Sequence, residues 1–218
     1  AGGGGWTTRG RENLCRFAEK QNLPVVVGFR RQDLMDNNSS CYAGEAGVAM
    51  PPPVRQTLDE ADVILAVGVR FGEMTTNAYT LFQNQSQKII HIHASEAEFD
   101  KVVKADLLIR SNPNLAVATL LGTPSMADTK EQWREETRNR FLSTHKVPTA
   151  ITGVDMAAAT AYLQEVLPED VIITNGAGNF SVWPNKFFLY GSSARLLAPQ
   201  NGTMGYGVPA AISAKVAA

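Results

Sequence analysis

The sequence predicts an α/β protein: a parallel-sheet unit, followed by the first part of a second α/β unit. Apolar runs without alternation occur at 62–69 (DVILAVGV), 88–93 (KIIHIH) and 105–109 (ADLLI), as expected of strands buried on both faces. Helical patterns separate them, and strands alternating with helices form a parallel sheet covered by those helices. After a charged stretch the alternation resumes, which places a second unit behind the first.

Taken in order, residues 2–5 are four glycines, read as the loop after a strand. A helical pattern follows over 8–21, with Leu14, Phe17 and Ala18 on one face. Val25, Val26 and Val27 form a short β-branched strand, and the polar segment 30–42 reads as a surface loop. Tyr42, Ala43, Gly44 and Gly47 resemble the Y-x-G…G turn of a known family. Pro51, Pro52 and Pro53 open a helix through Ala61, since stacked prolines cannot continue one from before. Beyond the first strand, helices are expected at 96–103 and 113–121. Gly122 to Pro124 breaks the pattern, and 129–146 is highly charged, with Trp133 and Phe141 as its apolar stripe. That segment reads as a solvated helix crossing between domains. The second unit brings a helix at 154–166, a strand at 171–174, a glycine turn, a helix at 183–188 and a strand at 196–198. The expected domains are 1–125, a linker helix within 126–150, and 151–218. A chain that starts in a loop and stops inside a helix without a capping signal reads as a fragment.

Composition narrows the function. The 218 residues carry 20 basic and 21 acidic side chains, for a net charge of -1. That balance offers no electrostatic case for a nucleic-acid or membrane partner. No apolar run approaches the length of a membrane span. Cys15 and Cys41 make neither a metal-type spacing nor a disulfide framework. Incidental thiols fit a reducing, cytoplasmic setting. His91 and His93 share one strand face, but a third ligand for a metal pair is not evident nearby. Walker A and G-x-S-x-G patterns are also missing.

Two glycine-rich stretches carry the chemistry. Asn175, Gly176, Ala177, Gly178 and Asn179 follow a strand directly. Glycines there expose backbone N–H groups to a phosphate, helped by the dipole of the next helix. Taken alone, such a turn is commonly structural. The second stretch, Gly202, Thr203, Met204, Gly205, Tyr206 and Gly207 before Pro209, is a tight loop feeding a helix that starts near Val208. From spacing alone it reads equally as a packed turn or a ligand cradle.

The run from Gly202 to Ala211 resembles the G-x-M-G-Y-G-x-P-A-A segment of thiamine-diphosphate enzymes, and nearly the whole chain resembles acetolactate synthase. The resemblance implies a Rossmann-like central domain and the start of the domain that binds the cofactor's diphosphate. It implies decarboxylation of a 2-keto acid and ligation to a second carbonyl compound, with Mg2+ held by a motif beyond Ala218. Gly202 and Thr203 would bind cofactor, with the Gly202 carbonyl accepting from the aminopyrimidine. The Met204 N–H would donate to a ring nitrogen, and its side chain, the candidate catalytic group, would wedge the two rings into a bent conformer. Gly176, Ala177, Gly178 and Asn179 would face the diphosphate. Acetolactate synthases carry Gln-His where this chain has Asn179 and Phe180, and Phe180 cannot donate.

The resemblance also makes Gly3, Gly4 and Arg70 possible nucleotide contacts, where FAD sits in acetolactate synthases. His93 and Ser95 replace the family's ribose-side carboxylates, which argues against FAD. A homodimer or homotetramer is expected of the full-length transferase or lyase, with the fragment itself inactive. The alternatives are a 2-keto acid or oxalyl-CoA decarboxylase, and a non-catalytic nucleotide-binding or regulatory module.

Overall fold

A computed structural model describes residues 1–47, 50–83, 86–126, 130–146 and 152–217. Parts of the expected linker, 127–129 and 147–150, lie outside the described residues, as do residues 151 and 218. The chain is α/β, and every strand pairing among the described residues is parallel.

Helix α1 (Thr8–Gln21) opens on Thr7, whose hydroxyl accepts from the Gly10 amide. It ends at Asn22, which takes the left-handed conformation and donates back to Ala18 and Glu19. β1 (Val25–Gly28) pairs with β2 (Tyr42–Ala46). α2 (Pro52–Asp59) starts on two prolines, whose missing N–H groups cost nothing in a first turn. β3 (Val63–Val67), β4 (Lys88–His93) and β5 (Leu107–Arg110) form a sheet in that order. α3 (Pro113–Leu121) packs against α1. Asn114 ties the two helix starts together: its Nδ2 donates to the Gly5 carbonyl, and its Oδ1 accepts from the Thr7 amide.

Period-two alternation explains the apolar runs of β3 and β4, whereas β5 is exposed along its length. Leu65, Val67, Ile90 and Ile92 face one core with Leu14, Val27, Val117 and Phe141. Ile64, Ala66 and Ile89 face another with Val69, Phe71 and Val103. Ala1 and Gly2 stitch the first two sheets together. The Ala1 amino group donates to Val26 O at 2.9 Å, Gly28 N to Ala1 O at 2.7 Å, and Gly2 N to Val67 O at 3.0 Å. Beside Ala1, a groove of about 800 Å3 runs between β1 and β3, walled by Val25, Val27, Leu65 and Val67.

After α4 (Glu131–Ser143) come α5 (Met156–Val166), β6 (Ile172–Thr174), α6 (Val182–Phe187), β7 (Arg195–Leu197) and α7 (Gly207–Ala217). β6 and β7 pair beside their own core of Phe188, Tyr190, Ala194 and Leu196.

Four expectations from the sequence need correction. Segment 30–42 is no surface loop: Leu34, Met35 and Cys41 enter the core, and Gln32, Asp33 and Asn37 are buried with them. Its polar residues bond inside the protein, which composition alone cannot distinguish from exposure. The 42–47 turn is largely strand β2, because pairing with β1 overrides its small residues. The expected helix at 96–103 shrinks to a 3-10 turn at Glu96–Glu98. Asp100 is left-handed (φ 54) and its carboxylate accepts from Ala105 N, so the chain turns instead. α4 is more than a solvated bridge. It packs on α2 and β2, with Phe141 buried edge-on against Tyr42 at 4.9 Å.

Candidate functional site

Ligands of parallel sheets gather at the carboxyl ends of strands, and the candidate residues fall at two such ends. At the first, Gly3 (φ 73) lies so close to Gly68 that an added Cβ would stand 2.1 Å from the Gly68 carbonyl oxygen. Gly4 faces open space. Arg70 is exposed, and its Nε meets Glu98 at 3.3 Å. The Ser95 amide donates to His93 Nδ1 at 3.1 Å, so these two residues close on each other. His91 belongs to the core. Its Nε2 lies 2.9 Å from Val69 O, its ring meets Phe71 and Phe99, and burial lowers its pKa. Among the described residues no group of three His, Cys, Asp or Glu is placed to hold a metal.

The second place holds the two glycine loops, which leave the carboxyl ends of the neighbouring strands β6 and β7. They meet. A Cβ on Gly207 would stand 3.1 Å from Asn175 C and 3.2 Å from Gly176 N. One on Gly176 would lie 3.9 Å from the Gly205 and Gly207 amides. Thr174 Oγ1 donates to Gly207 O at 3.0 Å, pinning the start of α7 to the end of β6. Gly202 (φ 73) and Gly205 (φ 80) adopt the left-handed backbone that favours glycine. Between them Met204 is 80% exposed, so it is not a core residue. Thr203 is also exposed and bonds Asn201 Oδ1. Asn179 is exposed. Phe180 lies over the turn, with its Cε1 2.7 Å from where a Gly178 Cβ would be. Among the described residues, the Ala177 and Gly178 N–H groups have no protein acceptor. Pro209 occupies the third position of α7, where its missing N–H is still harmless.

A cleft of about 310 Å3 separates these loops from the first unit, lined among others by Phe29, Arg30, Glu45, His145, Asn179 and Gly202. Sequence reasoning missed Arg30 and Glu45. Arg30 follows the carboxyl end of β1, so the strand-end rule would have found it had 30–42 not been read as a surface loop. The Glu45 carboxylate accepts from Arg30 N at 2.6 Å and Gln32 Nε2 at 2.8 Å. Burial pushes its pKa up to about 7, against the opposing pull of Arg30.

Residues 1–120 match the family model described as thiamine pyrophosphate enzyme, central domain. The chain belongs to the thiamine pyrophosphate enzyme family. It is 30% identical to the probable acetolactate synthase large subunit of Methanocaldococcus jannaschii, covering 100% of this chain and 38% of that protein. Identity to the acetolactate synthase large subunit of Parasynechococcus marenigrum is 28%, covering 99% and 35%. Identity to the chloroplastic acetolactate synthase 1 of Nicotiana tabacum is 28%, covering 98% and 33%. The chain thus spans between a third and two fifths of these relatives' length. For a thiamine pyrophosphate enzyme the fit is apt: two touching glycine loops, amide donors free of protein acceptors, and no core role for Met204. No helix among the described residues is long and apolar enough to cross a membrane.

Proposed function

We propose that the whole protein is a thiamine-diphosphate-dependent enzyme that decarboxylates a 2-keto acid and joins the product to a second carbonyl compound. The observation that carries this reading is the convergence of the Gly176 turn on the Gly202–Gly207 loop, from the ends of adjacent parallel strands. Bound there, thiamine diphosphate would supply, once its C2 proton is lost, a nucleophilic carbon and an electron sink for decarboxylation.

This chain's residues bind and orient. The Ala177 and Gly178 amides face the diphosphate, with Asn179 as a further donor. The Gly202 carbonyl and the Met204 amide hold the pyrimidine edge, and the Met204 side chain fixes the angle between the rings. Mg2+ would be held by residues outside this chain. Two unpaired cysteines fit a cytoplasmic enzyme, and we expect a homodimer or homotetramer. A second reading, a 2-keto acid decarboxylase, gains weight from Phe180, which covers the turn where acetolactate synthases carry a polar side chain.

Calorimetric titration tests the proposal. The whole protein is expected to bind thiamine diphosphate only with a divalent metal and to release carbon dioxide from a 2-keto acid, while residues 1–218 alone bind none measurably. Tight metal-dependent binding to residues 1–218 would overturn the assignment of roles. Absence of binding to the whole protein would overturn the function.

A further inference from the structure

Segment 30–42 has no part in the function proposed above, yet it forms the seam against the second parallel pair. Arg30 stands at its centre. The residue is only 4% exposed, and its guanidinium forks onto two carbonyls: Nη1 donates to Pro199 O, and Nη2 to Gly176 O at 3.3 Å. One carbonyl belongs to the turn after β6, the other to the start of the loop after β7. These are the two loops assigned above to the cofactor.

We propose that Arg30 is a positioning residue, which holds both glycine loops in one relative placement and turns their amide donors toward the ligand. The inference rests on the assignment of those loops to thiamine diphosphate. The physical argument lies in the peptide plane. A trans peptide is planar, with its C=O and N–H pointing in opposite directions. Drawing the Gly176 carbonyl toward Arg30 therefore aims the Ala177 N–H the opposite way, and holding the Pro199 carbonyl does the same for Gln200. A planar fork spans two acceptors at fixed separation, which a lysine ammonium does not.

Arg30 is itself held in place. Its backbone is left-handed (φ 56), its N–H meets Glu45, and its guanidinium lies over Phe29 at 4.8 Å. Among the described residues no carboxylate oxygen lies within ion-pair distance of the guanidinium, and Nε has no partner. The positive charge therefore stands close behind the turn, where it favours an anionic ligand on the other side. Removing Arg30 leaves the seam a second clip: Asn37 N donates to Tyr190 O at 2.8 Å, and Tyr190 N to Asn37 Oδ1 at 3.0 Å. The effect of a substitution should therefore stay local.

The test is 15N relaxation on residues 1–218 carrying Arg30→Met or Arg30→Lys. In the wild type the Ala177, Gly178 and Gln200 amides should have rigid order parameters of about 0.85. Arg30→Met should drop them below about 0.6, and Arg30→Lys, which keeps one bond, should fall between. Ile173 and Leu196 in the strands should not change. Arg30→Gln, with one donor retained, replaces Met if that variant fails to fold by circular dichroism. In the whole protein, Arg30→Met should weaken thiamine diphosphate binding by about tenfold or more, with turnover at saturating cofactor within about threefold of wild type.

Unchanged order parameters in the loops would overturn the proposal, whatever happened to the melting temperature. Loops that loosen without any loss of cofactor affinity would uphold Arg30 as their anchor and instead overturn the assignment of the loops to thiamine diphosphate.

Discussion

Asn37 and Tyr190 pair as two strands would, although neither lies in one: each backbone amide is bonded by the other residue, at 2.8 and 3.0 Å. Asn37 Nδ2 also donates to Gln32 O and Met35 O. One side chain thus satisfies three buried backbone groups, two within its own segment and one, Tyr190 N, across a seam 153 residues apart in sequence. Asn37→Ala leaves them unpaired, at roughly 1–3 kcal/mol each where water cannot reach. The variant should lose on the order of 3 kcal/mol in urea denaturation, and Asn37→Asp, which turns a buried acceptor toward the Gln32 and Met35 carbonyl oxygens, at least as much. A change below about 0.5 kcal/mol would show that the seam is not closed in solution.

Gly207 separates helix propensity from contact. It sits in the first turn of α7 without a positive φ, so alanine should favour the helix by up to about 1 kcal/mol. Its Cβ, however, would press on backbone atoms of Asn175 and Gly176 at 3.1 and 3.2 Å, which cannot swing aside. Overpacking of this kind costs about 1–3 kcal/mol. Gly207→Ala should therefore be destabilising on balance by about 1 kcal/mol, and should weaken cofactor binding in the whole protein. A more stable variant with unaltered binding would mean the two loops stand further apart.

Glu45 gives a pH dependence of definite sign. Its pKa is raised from 4.5 to about 7, first by burial, so the folded state binds its proton more tightly than the unfolded state does. The stability this confers is fully present below about pH 4.5 and is lost as pH rises through 7. The size is on the order of 2–3 kcal/mol. Glu45→Gln keeps an acceptor for the Arg30 amide and removes the titration. The difference in urea midpoint between the two proteins should shift in the variant's favour from pH 5 to pH 8. A flat difference would place the carboxylate in contact with water.

The elements that the sequence made legible are those whose signal is local. KIIHIH and the Pro113–Leu121 helix match β4 and α3 residue for residue, because apolar period and a proline start are written in the segment itself. Both glycine loops were legible for the same reason. Arg30, Asn37 and Glu45 were not. A buried arginine satisfied by carbonyls 146 and 169 residues away looks, in sequence, like any charge in a polar loop. Acidic residues misled at 96–103, where left-handed Asp100 ends a pattern that propensity would have continued.

Flavin content follows from the first strand-end cluster. Gly3 lies against Gly68 there and Arg70 is paired with Glu98, while His93 and Ser95 bond each other where a ribose would need a carboxylate acceptor. The whole protein should be purified colourless, without a band near the usual flavin absorption. A yellow preparation that releases FAD on denaturation would show that other contacts hold the nucleotide.

Met204 bears on the chemistry most directly. A methionine 80% exposed between two left-handed glycines gains nothing from the protein's own packing. Truncating it should leave the melting temperature of residues 1–218 within about a degree, since surface changes usually stay within about 0.5 kcal/mol. On the function proposed above, its effect should appear only with cofactor in place, where it would hold the two rings at the angle that proton transfer to C2 requires. Catalysis that depends on placement falls by large factors when positioning slips by about 1 Å. In the whole enzyme, Met204→Ala should slow hydrogen–deuterium exchange at C2 and turnover by about tenfold or more. Met204→Leu, close in volume, should be far milder. Equal exchange rates in wild type and Met204→Ala, with stability unchanged, would leave Met204 without a role in the site and would move the wedge to another residue.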